Sequence, residues 1–181
     1  TATSMLFWGS SQSNRVYANE VYSNGSPGIH LWTGGHRGHL FVRNRIWRNG
    51  AVGIQLEGDT NNWVLNNSVY GHTSAGIYVT SAAGASNKII GNVAVTNGTY
   101  GIRNVGVETR VQYNDSFGHT TANLNNTGTW ITNNNISSNA LFSNASSGNF
   151  KLIGPSPVSA AVDAGTTNGL TQYDATPVSG M

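Results

Sequence analysis

The sequence predicts an all-β fold, a solenoid of short parallel strands, because one pattern recurs six times along the chain. An asparagine marks each unit at a spacing of 20 to 25 residues, at Asn19, Asn44, Asn67, Asn92, Asn114 and Asn134. An apolar residue precedes each asparagine by three positions, and a Gly-Ile pair follows the first four of them at residues 28–29, 53–54, 76–77 and 101–102. Repeats of this length are typical of folds in which each unit buries its apolar face against its neighbours.

Each unit is predicted to contribute three short strands. Ile29 and Leu31 are two positions apart, the period at which side chains of a strand face the same side. The apolar residues on either side of the asparagine, such as Val16 and Val21, predict two more strands that meet at a tight corner. Asparagine suits this corner because it tolerates the left-handed backbone region, and its amide can donate and accept along a stack of identical amides.

The beginning of the chain is interpreted as part of a coil. Met5 and Phe7 stand where Ile29 and Leu31 stand in the next unit. Residues 1–13 are therefore expected to be the remnant of a preceding coil, with truncation of a longer parent favoured over cover by another chain. An uncapped solenoid end exposes strand edges, so end-to-end or self-association at this coil is also expected.

The repeat weakens towards the other end. Asn104 and Ser116 stand in places that hold Leu or Val in earlier coils, which predicts a thinner core after the fourth coil. The coils are expected over residues 14–141. The Gly-, Ser- and Pro-rich residues 142–181 are expected to form a closing segment.

Composition excludes several classes of function. Only 9% of residues are charged and the net charge is +2 with no basic stripe, so nucleic acid is not an expected partner. No apolar run reaches the roughly 18 residues that a membrane span needs. Zero cysteines exclude thiolate metal sites, and the acidic residues are scattered, so neither a metal nor another cofactor is predicted. A secreted or periplasmic location is expected.

The repeat and the tail resemble the pectate-lyase-like superfamily of right-handed parallel β-helices. The repeat reads Asn-x-Val-x-x-Asn at residues 19–24, followed by Gly-Ile-x-Leu at residues 28–31. The tail resembles the segment that caps the last coil in secreted members, through Asn149-Phe150-Lys151-Leu152, Ser156-Pro157 and Asp163-Ala164-Gly165. The resemblance implies a right-handed single-stranded parallel β-helix of about six coils with an irregular C-terminal closing segment.

The resemblance supports a prediction of the fold more strongly than a prediction of the activity. Relatives include pectate and alginate lyases, mannuronan epimerases, polygalacturonase-like hydrolases and noncatalytic surface modules. The Asp-Pro-His-Asp motif of the epimerases and the paired-Asp motif of polygalacturonases are absent. We expect a carbohydrate-active enzyme, a lyase or epimerase on an acidic glycan before a glycoside hydrolase. The alternative is a noncatalytic glycan-binding or structural module of a larger surface protein.

The superfamily places its polysaccharide groove on the outer face of the strand that corresponds to Gly-Ile-x-Leu. If Ile29 and Leu31 point inward, His30 and Trp32 point outward. Stacking the units predicts two outward columns, one with Leu6, His30, Gln55, Tyr78 and Arg103, the other with Trp8, Trp32, Glu57, Thr80 and Val105. The turns that follow these strands add His36, Arg37, His39 and Asp59.

These residues fit the chemistry of uronic acid chains. Arg103 or Arg37 would pair with the sugar carboxylate, and His30 or Tyr78 would exchange protons as general base or acid. A hydrolase would instead use Glu57 with Asp59, the one close pair of carboxylates. The glycan would be bound by Trp8 and Trp32, on which sugar rings would stack, together with Gln55, His36, Arg37 and Asp59. The competing interpretation is that they form the polar outer face of a soluble sheet.

A second outward stripe follows the asparagines at Tyr22, Trp47, Tyr70, Val95 and Phe117. We interpret it as structural or interfacial, with Glu20 and Arg45 forming a surface ion pair. His72 and His119 replace the asparagines that other units hold at an outer turn, where packing is the expected role.

Overall fold

The computed structural model describes residues 5–128 and 130–152. These residues form a right-handed parallel β-solenoid of about five turns, which confirms the predicted fold class. Within them, no helix has the length and apolar character that crossing a membrane requires.

Three parallel sheets run along the solenoid, and a turn contributes one strand to each. Strands are numbered in chain order. Sheet 1 holds β1 (Met5–Trp8), β4 (Ile29–Trp32), β7 (Ile54–Leu56), β10 (Ala75–Val79), β13 (Tyr100–Asn104) and β16 (Ala122–Asn126). Sheet 2 holds β2 (Arg15–Tyr17), β5 (Leu40–Val42), β8 (Trp63–Leu65), β11 (Lys88–Ile90), β14 (Thr109–Gln112) and β17 (Trp130–Asn133). Sheet 3 holds β3 (Glu20–Tyr22), β6 (Arg45–Trp47), β9 (Ser68–Tyr70), β12 (Val93–Val95) and β15 (Asp115–Phe117).

The core is a stack of aliphatic side chains in register. Ile29, Ile54, Ile77 and Ile102 pair from turn to turn on sheet 1 and are all buried. The neighbouring inward column continues as far as Asn104, which is buried and donates its amide to Asn126 Oδ1 at 3.0 Å. The interior thus becomes polar after the fourth coil, as the sequence predicted.

The asparagine ladder lies at the corner between sheets 2 and 3. Asn67 Oδ1 accepts both the backbone N–H and the side-chain amide of Asn44, each at 2.9 Å. The ladder ends at Asn135, which accepts from Asn114 at 2.9 Å, so the prediction of Asn134 as the last rung was wrong by one position.

The expected left-handed backbone also belongs to a different residue. The position just before each rung has φ between +53° and +68°, namely at Ala18, Arg43, Asn66, Gly91, Tyr113 and Asn134. The rung asparagine is therefore selected for its side-chain hydrogen bonds, and its neighbour makes the turn.

The other two corners carry ladders of their own. Between sheets 3 and 1 the rungs are Asn24, Asn49, His72, Asn97 and His119. Between sheets 1 and 2 the rungs include His39, Asn62 and Asn87. Asn97 is one of the asparagines that the repeat pattern predicts at an outer turn exposed to water, but it is only 2% exposed, so that prediction was wrong.

The C-terminal hairpin covers part of sheet 3. It comprises β18 (Phe142–Asn144), a 3-10 helix (Ala145–Ser147) and β19 (Asn149–Leu152), with the two strands antiparallel. The Phe150 ring packs edge-on against Trp47 at 5.7 Å between ring centroids, and Trp47 stacks on Tyr22 at 4.3 Å. The aromatic stripe is therefore structural at Trp47, and β19 lies on the side of the solenoid rather than capping its last coil.

Two further predictions concern an ion pair on sheet 3 and the motifs of the tail. Glu20 and Arg45 form the predicted ion pair on sheet 3. The Ser156-Pro157 and Asp163-Ala164-Gly165 matches lie outside the described residues.

Candidate functional site

The predicted outward column exists on sheet 1. Residues of this column pair in register from one strand to the next, in the order Leu6, His30, Gln55, Tyr78, Arg103 and Asn125. Because adjacent strands are about 4.8 Å apart, the column is an evenly spaced row along the solenoid axis. In the second column Trp8 pairs with Trp32, whereas Glu57 follows the end of β7.

Two tryptophans form an exposed aromatic platform at one end of this face. Trp8 is 68% exposed and Trp32 is 41% exposed. Their ring centroids are 5.7 Å apart with the planes inclined by 40°. An exposed pair of large rings is suited to contact the apolar face of a sugar.

His30 lies beneath this platform and pairs with Glu57. The imidazole Nε2 is 3.1 Å from Glu57 Oε2, and the His30 ring centroid is 5.2 Å from that of Trp32. The His30 side chain is only 6% exposed, while that of Glu57 is 32% exposed. Nδ1 of His30 is buried and has no hydrogen-bond partner among the described residues. Of the pair, the carboxylate is thus the group that a ligand reaches first.

Tyr78 and Arg103 form the second polar group on the same face. The Arg103 guanidinium lies 4.9 Å from the Tyr78 ring centroid and 5.2 Å from that of Tyr100. Its Nε is buried, and no residue within 5–128 and 130–152 forms a hydrogen bond with it. Gln55 separates this group from His30, so the two polar groups are two strand spacings apart, about 10 Å.

The structure corrects the placement of two predicted binding residues. His36 is fully buried, with Nδ1 at 2.9 Å from Ser11 Oγ and Nε2 at 3.0 Å from the Trp32 carbonyl oxygen. Asp59 is also fully buried, and its Oδ2 accepts the backbone N–H of Glu57 at 2.8 Å. Both side chains complete the turn after the strand instead of facing outward.

Burial governs the electrostatics of these turns. Loss of hydration raises the pKa of Asp59 to about 7, against the lowering effect of backbone N–H groups. For His39 the same loss of hydration has the opposite effect and lowers the pKa, because the charged form of histidine is the protonated one. The His39 Nδ1 accepts the backbone N–H of Asn14 at 3.1 Å. Arg37 is exposed and forms β-bridges to Gln12 and Thr60, at the edge between sheets 1 and 2. Of the four predicted turn residues His36, Arg37, His39 and Asp59, Arg37 alone is exposed.

Sequence reasoning missed a set of charged and aromatic residues on sheet 2. Arg15, Trp63, Lys88 and Arg110 occupy one outward column, next to two surface depressions of about 380 and 560 Å³. The signal was present in the sequence, because each of these residues precedes an inward aliphatic residue by one position. Among the described residues no group of three or more His, Asp or Glu side chains is placed to hold a metal ion.

Comparison with known proteins identifies the repeat. A family model described as "Right handed beta helix region" matches residues 2–115. Neither a curated protein nor a solved structure matches the chain.

Proposed function

The chain belongs to the right-handed β-helix family, and from this premise we propose that it acts on an acidic polysaccharide along the outer face of sheet 1. Membership of the family suggests a polysaccharide-related or surface protein. The observation that carries the finer proposal is a row of side chains along one face of sheet 1, made of two adjacent columns. It comprises Trp8 and Trp32, the His30–Glu57 pair, Gln55, and the Tyr78–Arg103 pair. A secreted or periplasmic location accompanies this proposal.

The row matches what a uronic acid chain presents. Sugar rings stack on exposed aromatic surfaces, which Trp8 and Trp32 supply. The carboxylate of a uronate would pair with the guanidinium of Arg103, which lies beside the rings of Tyr78 and Tyr100. Strand spacing sets a regular interval along the row, so a chain parallel to the solenoid axis meets one side chain after another.

We propose a lyase or an epimerase, because both begin with removal of the proton at C5. In the lyase reaction the C5–H bond breaks, its electron pair forms the C4=C5 double bond, and the C4–O4 bond breaks with protonation of the leaving oxygen. In the epimerase reaction a proton returns to C5 from the opposite face. Arg103 neutralises the carboxylate and thereby stabilises the charge that develops, while the adjacent Tyr78 exchanges protons.

His30 acts as the base in this chemistry only when the Trp32 ring moves away from it. With Nε2–H donating to Glu57, the unpartnered Nδ1 carries the lone pair that a base requires. Trp32 packs beside the imidazole, so a substrate that displaces this ring would uncover Nδ1. Tyr78 is the more exposed of the two candidates.

Hydrolysis is less well supported by this geometry. A retaining or inverting hydrolase requires two carboxyl groups that face the same glycosidic bond. Glu57 is partly exposed, but the buried Asp59 carboxyl accepts the backbone N–H of Glu57. The pair therefore does not present two carboxyl groups to a ligand.

The test is incubation with polygalacturonate, alginate and other polyuronates. Ultraviolet absorbance of new C4=C5 double bonds reports a lyase, and nuclear magnetic resonance of the C5 configuration reports an epimerase. Tyr78→Phe and Arg103→Gln should abolish turnover, whereas Tyr22→Phe, an exposed tyrosine on sheet 3, should retain it. Absence of product from the whole panel would overturn the enzymatic proposal.

A noncatalytic glycan-binding or structural module is the second candidate. The observation in its favour is that Trp8 and Trp32 are exposed, while His30 is buried. This candidate predicts binding of a polysaccharide without product, and loss of binding in Trp32→Ala. If both Trp32→Ala and Glu57→Ala retain full binding, sheet 1 is not the binding face.

A further inference from the structure

The outer face of sheet 2 carries a basic and aromatic row of its own. Its strands place Arg15, Leu40, Trp63, Lys88 and Arg110 in register on successive turns. Arg15 and Arg110 are exposed and Lys88 is half-buried. Three of the nine Lys and Arg residues in the sequence thus stand in one row of a chain that is poor in charge.

Two neighbouring surface depressions, together called the sheet 2 trough, lie beside this row. Its first part, about 380 Å³, is bordered by Arg15, Leu40 and Trp63, and its second part, about 560 Å³, by Lys88 and Arg110. Asn61 borders both parts. Glu108 is the one acidic residue among those that border the trough, which leaves a net positive lining.

Aromatic rings contact two of the three cations in the row. The Lys88 ammonium lies 3.6 Å from the Trp63 ring centroid, and the Arg15 guanidinium lies 4.9 Å from that of Tyr17. Such contacts restrict long side chains before any ligand arrives. Less conformational entropy is then lost when the cation pairs with an anion.

Lys88 and Arg110 are direct neighbours on parallel strands. Like charges in register oppose each other, and burial together with Arg110 lowers the pKa of Lys88. An anion that binds between the two relieves this repulsion. Repulsion between two cations that a bound anion would relieve is the electrostatic arrangement expected of an anion-binding site.

We propose that the sheet 2 trough binds an anionic polysaccharide, a polyuronate chain that lies parallel to the solenoid axis with its carboxylates on Arg110, Lys88 and Arg15. Four strand spacings separate the ends of the row, about 19 Å. A chain with one carboxylate per sugar presents its charges at intervals comparable to the distance between adjacent strands, about 4.8 Å. Double-stranded DNA instead carries one charge per about 1.7 Å, far denser than three cations in this row can match.

This binding site stands apart from the proposed chemistry on sheet 1. It requires neither turnover nor the residues Tyr78 and Arg103. It would hold a polymer against one side of the solenoid whether or not another face acts on it. The two proposals can therefore fail separately.

The experiment titrates the whole chain with a galacturonate hexamer by calorimetry at several sodium chloride concentrations. The variants are Lys88→Gln, Arg110→Gln and the double variant. Arg45→Gln is the matched control, because it removes the same charge from an exposed, ion-paired arginine on sheet 3. Circular dichroism and a thermal melt establish that each variant is folded.

We expect the double variant to weaken binding by about tenfold or more and to flatten its salt dependence, with a smaller loss in each single variant. Arg45→Gln should bind as the wild type does. Equal affinity of the double variant and the wild type would overturn the proposal. So would equally tight binding of an uncharged glucan hexamer, or of a DNA oligonucleotide in preference to the galacturonate.

Discussion

His72 Nδ1 accepts the backbone N–H of Asn49 at 3.1 Å, so an imidazole fills the rung that amides fill in neighbouring turns. On its other side, the backbone N–H of His72 donates to Asn97 Oδ1 at 3.1 Å. The ring must therefore be unprotonated at Nδ1, and its Nε2–H faces the Ile46 carbonyl oxygen at 3.3 Å. Burial lowers the pKa of His72 to about 4.

Replacing His72 by Asn should flatten the dependence of stability on pH in the acid range. The folded pKa of about 4 lies below the unfolded value of 6.5, so the stability linked to His72 is present above pH 6.5 and is lost as pH falls towards 4. The full difference is about 3 kcal/mol. Chemical denaturation of the wild type and His72→Asn between pH 4 and 7.5 measures it. Parallel profiles would mean that His72 does not titrate on unfolding.

Asn92→Ala should lower the melting temperature more than Asn97→Ala, although both asparagines are buried. The Asn92 side chain accepts from the backbone and amide of Asn67, and it donates to the carbonyl oxygens of Val64 and Ile90 and to Asn114. The Asn97 side chain accepts from His72 and donates to Val69 at 3.5 Å.

The physical reason is the number of buried partners left unsatisfied, each of which costs about 1–3 kcal/mol. Calorimetric melts of both variants give the comparison, and Ser143→Ala on the exposed hairpin provides a neutral control. A larger loss in Asn97→Ala would show that the ladder between sheets 3 and 1 carries more of the stability.

The repeat was predictable because its periodicity is imposed by stacking. Ile29 and Leu31 alternate with outward residues, and alignment of this pattern between successive units predicted the register of sheet 1. Corner geometry was less accessible to sequence reasoning. The left-handed residue is Ala18 in one turn and Tyr113 in another, so no residue type marks it.

Exposure of the candidate site was only partly predictable for a related reason. Strand alternation predicts that a side chain points outward, but whether other side chains then cover it depends on residues of neighbouring turns. His30 points outward and is nonetheless buried beneath Trp32 and Glu57. His36 and Asp59 lie in a turn, where alternation does not apply, and they fold back into the protein.

Asp59→Asn should stabilise the protein near pH 8 and have little effect near pH 4. The folded pKa of about 7 is raised above the unfolded value of 3.8, so the wild type loses stability as pH rises from about 4 to 7. The variant lacks this loss, because an amide does not ionise, and its oxygen can still accept the Glu57 N–H. This trend runs opposite to that of His72.

The two contributions partly cancel in the wild type, so the informative measurement is the difference between each variant and the wild type across pH. Asp59→Glu, which keeps the charge, serves as the control for Asp59→Asn. If Asp59→Asn destabilises by the same amount at pH 4 and pH 8, the carboxyl is not protonated in the folded state.

Phe150→Ala should free the C-terminal hairpin from the solenoid. The Phe150 ring contacts both Trp47 on sheet 3 and Phe142 on the facing strand, at 5.7 and 5.1 Å between centroids. Lys151 is exposed but held in β19, where a protease cannot bind an extended peptide until the strand opens.

Trypsin should therefore cleave after Lys151 about tenfold faster in Phe150→Ala, because a loss of about 1.4 kcal/mol in packing raises the open population by that factor. Mass spectrometry of the released peptide measures the rate, and Ser143→Ala on the neighbouring strand should leave it unchanged. Cleavage within the strands of the solenoid should stay slow in all three proteins, since the hairpin opens locally. Equal rates after Lys151 in Phe150→Ala and the wild type would mean that the contact with Trp47 does not anchor the hairpin.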